Sequence, residues 1–210
     1  VAVITSMAQP LGTHIGNALE VKDAIDVLAG RTQGDLLEIS LLLGSHMLVL
    51  AEKTKTLPEA RAMLENALSS GAGLRKLAEM IAAQGGDPRV VEDLSLLPQA
   101  AVKRVMRAET AGYLSAMDTT ALGMAAQRMG AGRAKKSDML DYSVGYVLHV
   151  RLGDEVTEDT PLATLYARNE AEAEEAEKAI RKALTIAKEK PSVPPLWDAV
   201  VTAEEITYNR

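Results

Sequence analysis

The sequence predicts a mixed fold in two parts: a mostly helical part over residues 1–97 and an α+β part over residues 98–210. Before Pro98, apolar residues recur at helical spacing through four successive segments. After Pro98, short β-branched runs alternate with turns and with two helical segments. A chain of 210 residues is long enough for one large domain or two modest ones, each with its own core.

Composition narrows the class of protein. Hydrophobic residues make up 47% and charged residues 25%, as in an ordinary globular protein. The net charge of -6 speaks against nucleic acid and anionic membranes as partners. The absence of Cys excludes disulfides, thiolate metal sites and Cys nucleophiles. No apolar run approaches the roughly 18 residues of a membrane span, so we expect a cytoplasmic protein.

The first thirty residues are predicted to form a strand, a turn and a helix. The run from Val1 to Ile4 is apolar and β-branched, which predicts a buried strand. Pro10-Leu11-Gly12 predicts a turn, and Asn17 with Glu20 has the form of an N-cap and capping box. Because an opening strand needs a neighbour and residue 1 is not Met, we expect these residues to be part of a longer protein.

Three more helices are expected in the first part. Asp35 with Glu38 begins a Leu-rich helix with little polar face, which we expect to be buried on most sides. Like Asn17 with Glu20, this pair is interpreted as a helix cap rather than as paired catalytic acids. The other two helices are predicted over residues 56–71 and 73–83, the second closed by the helix stop at residues 85–88.

The second part alternates strands and helices. Thr119 or Thr120 is expected to cap a short helix, and a longer helix carries its acids early and its bases late, as the helix dipole favours. The predicted helices span 121–129 and 170–188, and the predicted strands span 101–107, 113–116, 146–151, 161–167 and 198–208.

Four ordered blocks of sequence resemble the pyrimidine-nucleoside phosphorylase and thymidine phosphorylase family. They read VAVITSMAQPLG followed by GNALEV; QGGD; GAGRAKK; and DYSVG followed by LGDEV and PLATLYA. The resemblance implies an α/β plus α+β fold. Residues 1–97 would be the helical rear part of a large central α/β domain, and residues 98–210 a C-terminal α+β domain with a barrel-sandwich-like β unit.

The resemblance also implies an activity. Family members cleave the N-glycosidic bond of thymidine, deoxyuridine or uridine with phosphate as co-substrate, releasing the base and a sugar 1-phosphate. Phosphate binding needs backbone N–H groups and a Lys in a Gly-rich loop, and the leaving base needs cationic donors. In the family both come from sequence that precedes these blocks. We therefore expect no catalytic or substrate-binding residue here and no activity of this chain alone. Family members are commonly homodimers.

A potassium site is the one family site that the resemblance places in this chain. Its ligands would be the carbonyls of Leu11 and His14 and the side chain of Asp23, since a hard cation prefers oxygen ligands. The family usually has Glu at the position of Asp23, and the shorter side chain makes a bridging water an alternative to direct contact. Asp23 as a plain surface acid is a second alternative. His14 is expected to act through its carbonyl, with its imidazole solvated.

Other motifs have a structural and a functional interpretation. The glycines and bases of residues 130–136 could form an anion site, but a helix C-terminus closed by glycine explains the same pattern. The three His residues show no convergent spacing, and His46 is expected to be hydrogen-bonded at a core edge. Residues 150–167 resemble a half-repeat of a biotinyl or lipoyl carrier domain, which gives a non-catalytic alternative. Lys135 and Lys136 lack the flanking residues of a modified carrier Lys.

Overall fold

The computed structural model describes residues 1–209. It is a mixed fold of helices and antiparallel sheets, as the sequence predicts. In the described residues no helix is both long and apolar enough to cross a membrane. The helices are α1 Asn17–Leu28, α2 Asp35–Leu50, α3 Leu57–Ser69, α4 Ala72–Ala83, α5 Thr119–Ala126 and α6 Glu170–Ala183. The strands are β1 Ala2–Thr5, β2 His14–Ile15, β3 Val102–Arg107, β4 Gly112–Met117, β5 Gly145–Leu148, β6 Glu155–Val156, β7 Pro161–Ala167, β8 Leu184–Ala187, β9 Trp197–Val201 and β10 Ile206–Tyr208.

The chain divides into two compact units. The helical unit comprises Val1–Ser6, Lys22–Leu96 and the residues from Pro195 onward. The sheet unit comprises Met7–Val21 and Leu97–Pro194. Both units are discontinuous in sequence, whereas the expected domains, 1–97 and 98–210, are continuous. Those domain boundaries stay a prediction.

The core of the helical unit lies between α1, α2 and α3. Val27, Leu37 and Leu41 form one buried cluster, on which partly buried leucines of α2 and α3 pack. Gly44 allows the close approach of α3, because a Cβ at that position would lie 2.9 Å from Cδ1 of Leu64. The remaining helix, α4, has no fully buried residue in the described chain.

The first strand is less buried than the sequence predicts. β1 pairs antiparallel with β9, with Ala2 opposite Val201, and β10 pairs with the other side of β9. β1 is therefore an edge strand, and its residues are exposed or half-buried, with 49% of Ile4 exposed. The prediction of a strand is confirmed, but the prediction that it is buried is wrong because apolar content alone does not supply a covering layer.

The Leu-rich helix α2 is buried at few positions. Its buried residues are Leu37, Leu41 and Ser45, which share one helical face, and Ile39, which lies on the opposite side. Leu43, Met47 and Leu50 recur at spacings of four and three residues on another face and are 41%, 68% and 64% exposed. The expectation of burial on most sides is therefore wrong.

The sheet unit contains two antiparallel sheets. One has the strand order β2-β5-β7-β3, and the other has the order β6-β4-β8. In the first sheet, Val147 lies opposite both His14 and Thr164, and Thr164 in turn lies opposite Val105. This register puts β2, from the start of the chain, at one edge of a sheet built otherwise from residues after Leu97.

A single hydrophobic core joins the two sheets to α5 and α6. On α6, the residues Ala173, Ala176, Ile180 and Ala183 are buried at spacings of three and four, which is one helical face. The phenol of Tyr146 is buried and donates to the carbonyl of Leu122 at 2.8 Å, which ties β5 to α5. Burial raises the pKa of Tyr146 well above its ordinary value.

Several helix starts are capped by a different residue from the one expected. Asn17 is the first residue of α1 and its side chain donates to the carbonyl of Ala131, while Glu20 accepts from the Gly16 N–H at 3.2 Å. Asp35 likewise begins α2, which has Gly34 at the N-cap and, within the residues described, no side-chain cap bond. α5 is capped by Asp118 rather than by Thr119 or Thr120, and α6, for which no particular cap residue is expected, is capped by Asn169.

The two longest predicted elements of the second part end early. The predicted helix 170–188 stops at Ala183, and Leu184–Ala187 forms strand β8 paired with β4. The predicted strand 198–208 is a hairpin, β9 and β10, with a turn between Val201 and Ile206. Strand pairing decides the structure in both cases, with the distant β4 for β8 and with the adjacent β9 for β10, and local composition does not report it.

Candidate functional site

The Pro10–Gly12 turn is bound to a cationic side chain of the same unit. Nη1 of Arg151 donates to the carbonyl of Pro10 at 2.7 Å and lies 3.5 Å from that of Gly12. Nη2 of Arg151 lies 3.4 Å from the carbonyl oxygen of Leu11. Three successive carbonyls thus surround one guanidinium, which carries a permanent charge and has only donors.

Two further bonds attach this segment to the residues on either side of Arg151. The Leu152 N–H donates to Oε1 of Gln9 at 2.9 Å, and the Leu148 N–H donates to the carbonyl of Thr13 at 2.8 Å. The turn is therefore held at both ends as well as by the guanidinium.

His14 follows the turn as the first residue of β2. Nδ1 of its half-buried imidazole lies 3.0 Å from Oγ1 of Thr13. Since Thr13 and Leu148 are hydrogen-bonded across the ladder, the next pair, His14 and Val147, is a non-hydrogen-bonded pair. The imidazole is thus not simply solvated, and the assignment of the His14 carbonyl to a cation stays a prediction.

Asp23 is buried, with 4% of its surface exposed. The alternative that it is a plain surface acid is therefore wrong. It lies in the part of α1 that belongs to the helical unit, whereas Leu11 and His14 belong to the sheet unit. Its role as a potassium ligand stays a prediction.

The carbonyl oxygens of the turn fit a hard cation only in part. Carbonyl oxygens are the ligand type that such an ion needs. The Leu11 oxygen, however, already lies beside the Arg151 guanidinium. An ion bound to this oxygen would share it with a fixed positive charge.

The glycine-rich loop after α5 binds a carboxylate of its own chain. α5 runs into a π-type turn at Gln127–Ala131, in which Gly130 has a φ of 108°, so the interpretation as a glycine-closed helix end is confirmed. Beyond it, Oδ2 of Asp138 accepts from the N–H groups of Ala134 and Lys135 at 3.1 and 2.8 Å. Two of the backbone donors that an external anion could use are therefore occupied by this internal carboxylate.

The other two histidines do not converge with His14 on a metal site. Nε2 of His46 is buried and lacks a hydrogen-bond partner in residues 1–209, so the expectation of a bonded His46 is wrong. Nε2 of His149 lies 2.7 Å from Oγ1 of the buried Thr164. Burial, and secondarily the charge of Lys103, lowers the pKa of His149. Among the described residues no group of three or more His, Cys, Asp or Glu could hold a metal ion.

Sequence reasoning missed Arg151 and Asp138, the two charged side chains that organise these segments. Asp138 was detectable in principle, since its donors lie only three and four residues earlier and Asp side chains can bond neighbouring backbone groups. Arg151 was not, because its acceptor in the turn lies 141 positions away in sequence.

Comparison with known proteins finds similarity to one family. Residues 113–187 match the pyrimidine nucleoside phosphorylase C-terminal domain. The pyrimidine-nucleoside phosphorylase of Bacillus subtilis (strain 168) is 50% identical over 169 residues, which is 80% of this chain and 39% of that protein. The chain is related to the pyrimidine-nucleoside phosphorylases. The resemblance seen in the four sequence blocks is thereby confirmed.

Two other relatives extend this relationship. The pyrimidine-nucleoside phosphorylase of Geobacillus stearothermophilus is 48% identical over 169 residues, 80% of this chain and 39% of that protein. The pyrimidine-nucleoside phosphorylase of Staphylococcus aureus (strain USA300) is 42% identical over 201 residues, 96% of this chain and 46% of that protein. The chain therefore spans less than half the length of the curated relatives it matches.

Proposed function

We propose that this chain serves as a structural portion of a pyrimidine-nucleoside phosphorylase. That enzyme would be a pentosyltransferase of nucleoside salvage. It would cleave the N-glycosidic bond of thymidine, deoxyuridine or uridine with phosphate, releasing the base and a (deoxy)ribose 1-phosphate. The observation that carries the proposal is the 50% identity over 169 residues to the Bacillus subtilis pyrimidine-nucleoside phosphorylase.

The proposed role of these 210 residues is scaffold rather than chemistry. Two of their cationic groups in candidate sites are engaged internally: Arg151 binds the Pro10–Gly12 turn, and Arg133 donates from Nε to the Asp138 carbonyl. Phosphorolysis needs donors directed at phosphate and at the leaving base. We propose that residues other than these supply both, and that this chain alone does not turn over nucleosides.

Four finer features of the proposal rest on the resemblance. The β strands around residues 150–167 would form a barrel-sandwich-like unit within a C-terminal α+β domain over 98–210. Residues 1–97 would complete a large α/β domain. The carbonyls of Leu11 and His14 with the Asp23 carboxylate would take a potassium ion. The full enzyme would be a cytoplasmic homodimer. The relatives found do not favour the alternative of a biotinyl or lipoyl carrier.

A chimera with a full-length relative tests the proposal. The matched segment of the Bacillus subtilis enzyme is replaced by the corresponding 169 residues of this chain. Thymidine, deoxyuridine and uridine phosphorolysis is then followed by the appearance of free base, with and without phosphate, for the chimera and for the 210-residue chain.

The expected result is phosphate-dependent release of base by the chimera and none by the 210-residue chain. Turnover by the chain alone would contradict the scaffold role. A chimera that folds, as judged by its circular dichroism and melting, yet releases no base from any of the three nucleosides would contradict the assignment of function.

A further inference from the structure

We infer that Arg151 is the resident cation of the Pro10–Gly12 turn. Its guanidinium holds the turn in place without a metal ion and competes with any monovalent cation for the Leu11 carbonyl. The contact with the turn does not depend on the proposed potassium site, whereas the competition for the Leu11 carbonyl rests on it.

The contacts are those of a cation among oxygen ligands. The Arg151 Nη1 bond to the Pro10 carbonyl, at 2.7 Å, has the short length of a charge-assisted hydrogen bond. The carbonyls of Leu11 and Gly12 lie at 3.4 and 3.5 Å from the two Nη atoms. A planar guanidinium presents its donors in a fixed fork, so one side chain serves neighbouring carbonyls together.

The backbone of Arg151 is fixed before the side chain reaches the turn. Its N–H donates to Oδ2 of Asp154 at 2.7 Å, and the Asp154 N–H donates to the Arg151 carbonyl at 3.1 Å. Gly153, with a φ of 87°, donates its N–H to the Leu114 carbonyl on β4 at 2.9 Å. This tight loop therefore delivers the guanidinium from a rigid position, which reduces the entropy lost on binding the turn.

A shared oxygen makes the guanidinium and a metal ion antagonists. An ion coordinated by the Leu11 carbonyl would lie within a few ångströms of the Arg151 charge. Like charges at that separation repel, most strongly where water is excluded. Arg151 therefore weakens the turn's affinity for a metal ion, and removing the guanidinium should leave the turn dependent on one.

The test measures how firmly the turn is held, not activity. Two amides report it: Leu152, which donates to Gln9, and Leu148, which donates to Thr13. Their hydrogen exchange is measured by NMR on the 210-residue chain in potassium chloride and in choline chloride at equal ionic strength. The variants are Arg151→Met, which removes the donors and charge, and Arg151→Lys, which keeps the charge but loses the fork. Arg128→Met, at an exposed arginine of the same unit, is the matched control.

We expect the unmodified chain and Arg128→Met to exchange equally in both salts. In choline chloride, the Leu152 amide of Arg151→Met should exchange at least tenfold faster than that of the unmodified chain. The rate in Arg151→Lys should lie between the two. The Leu165 amide, in the central strand β7, serves as an internal reference for folding and should not change. If Arg151→Met does not fold, the comparison between Arg151→Lys and the unmodified chain carries the test.

Two results would overturn the inference: unchanged Leu152 exchange in both Arg151 variants, or a tenfold slowing by potassium in the unmodified chain. The proposed potassium site is tested separately by whether potassium restores protection in Arg151→Met. Restoration supports that site. Faster exchange that potassium does not reverse contradicts the site while leaving Arg151 as the group that holds the turn.

Discussion

The two units of this chain bury apolar side chains to very different extents. In the sheet unit, one continuous core draws on both sheets, α5 and α6. In the helical unit, the buried cluster comprises Val27, Leu37 and Leu41. Large apolar side chains of the helical unit are exposed, among them Met47 at 68%, Met63 at 53% and Met80 at 51%.

This contrast shows that a helix can form from local signals without contributing much to a hydrophobic core. Helices α2, α3 and α4 begin and end where local signals predict, yet they bury little. The sheet unit depends on register between strands far apart in sequence, and it buries nearly all of β7. Since stability follows the apolar area removed from water, the sheet unit should be the more stable of the two.

The largest expected effect is at the closest backbone contact of the sheet unit. Gly145 has a φ of 147°, and a Cβ there would lie 2.1 Å from the carbonyl oxygen of Ile15. Gly145→Ala should lower the free energy of unfolding by about 3 kcal/mol or more, since it adds a backbone clash to conformational strain. Gly30→Ala is the control, because Gly30 has a φ of 71° with nothing within 4 Å of its Cβ. Urea unfolding followed by circular dichroism measures the free energy of unfolding of both variants. Equal losses would show that the close approach of Gly145 to Ile15 adds nothing to the cost.

Truncation in the core should rank next. Leu165 in β7 is fully buried, and Leu165→Ala should cost about 3 kcal/mol through lost burial and a residual cavity. Val105→Ala, on the neighbouring strand with 43% of Val105 exposed, is the matched surface change and should cost well under half of that. Similar losses for both, measured by the same urea unfolding, would show that the sheet unit does not have the core described.

A single hydrogen bond gives a smaller effect. Tyr146→Phe removes the donor to the Leu122 carbonyl and should cost about 1–2 kcal/mol, because the buried acceptor loses its side-chain donor. Tyr142→Phe, at a tyrosine that is 53% exposed, should be nearly neutral. The difference in melting temperature between the two variants is the measurement, and its absence would argue against a tie between β5 and α5.

The pH dependence of stability should report His149. Its pKa is lowered by burial and by Lys103, so the folded state favours the neutral imidazole. The unfolded state then binds the proton first, at an ordinary pKa of about 6.5, and stability falls as pH drops from there through the lowered folded value. His149→Gln should flatten this decline and Lys103→Gln should reduce it, as measured by urea unfolding at pH 7.5 and 5.5. An unchanged slope in His149→Gln would be the contrary result.

The smallest effect is expected in the helical unit. Met47 is 68% exposed on α2, so Met47→Gln should change the unfolding free energy by less than about 0.5 kcal/mol. Leu41→Ala, in the small cluster of the same helix, should cost several times more. Hydrogen exchange of the α2 amides measures both. A large loss from Met47→Gln would mean that this face is covered in solution.

The sequence was most informative where local chemistry decides structure. The bounds of β7 agree with the predicted 161–167. Thr56 caps α3 by accepting from the Glu59 N–H, and the Glu59 carboxylate accepts from the Lys55 N–H. The glycine-closed end of α5 and the family resemblance also came from short, contiguous patterns.

It was least informative where distant residues meet. Nothing before Ala183 marks the end of α6, because Leu184–Ala187 becomes a strand through pairing with β4. Burial of α2 was overestimated because hydrophobicity reports what a side chain favours, not what covers it. Arg151 was overlooked for the same physical reason: its importance depends on a turn at the other end of the sheet unit's sequence.

Phosphorolysis by the Bacillus subtilis chimera tests the central claim most directly. We predict that the chimera carrying the matched residues of this chain releases pyrimidine base in a phosphate-dependent reaction, while the 210-residue chain releases none. A folded chimera with no such release, or base release by the chain alone, would contradict it.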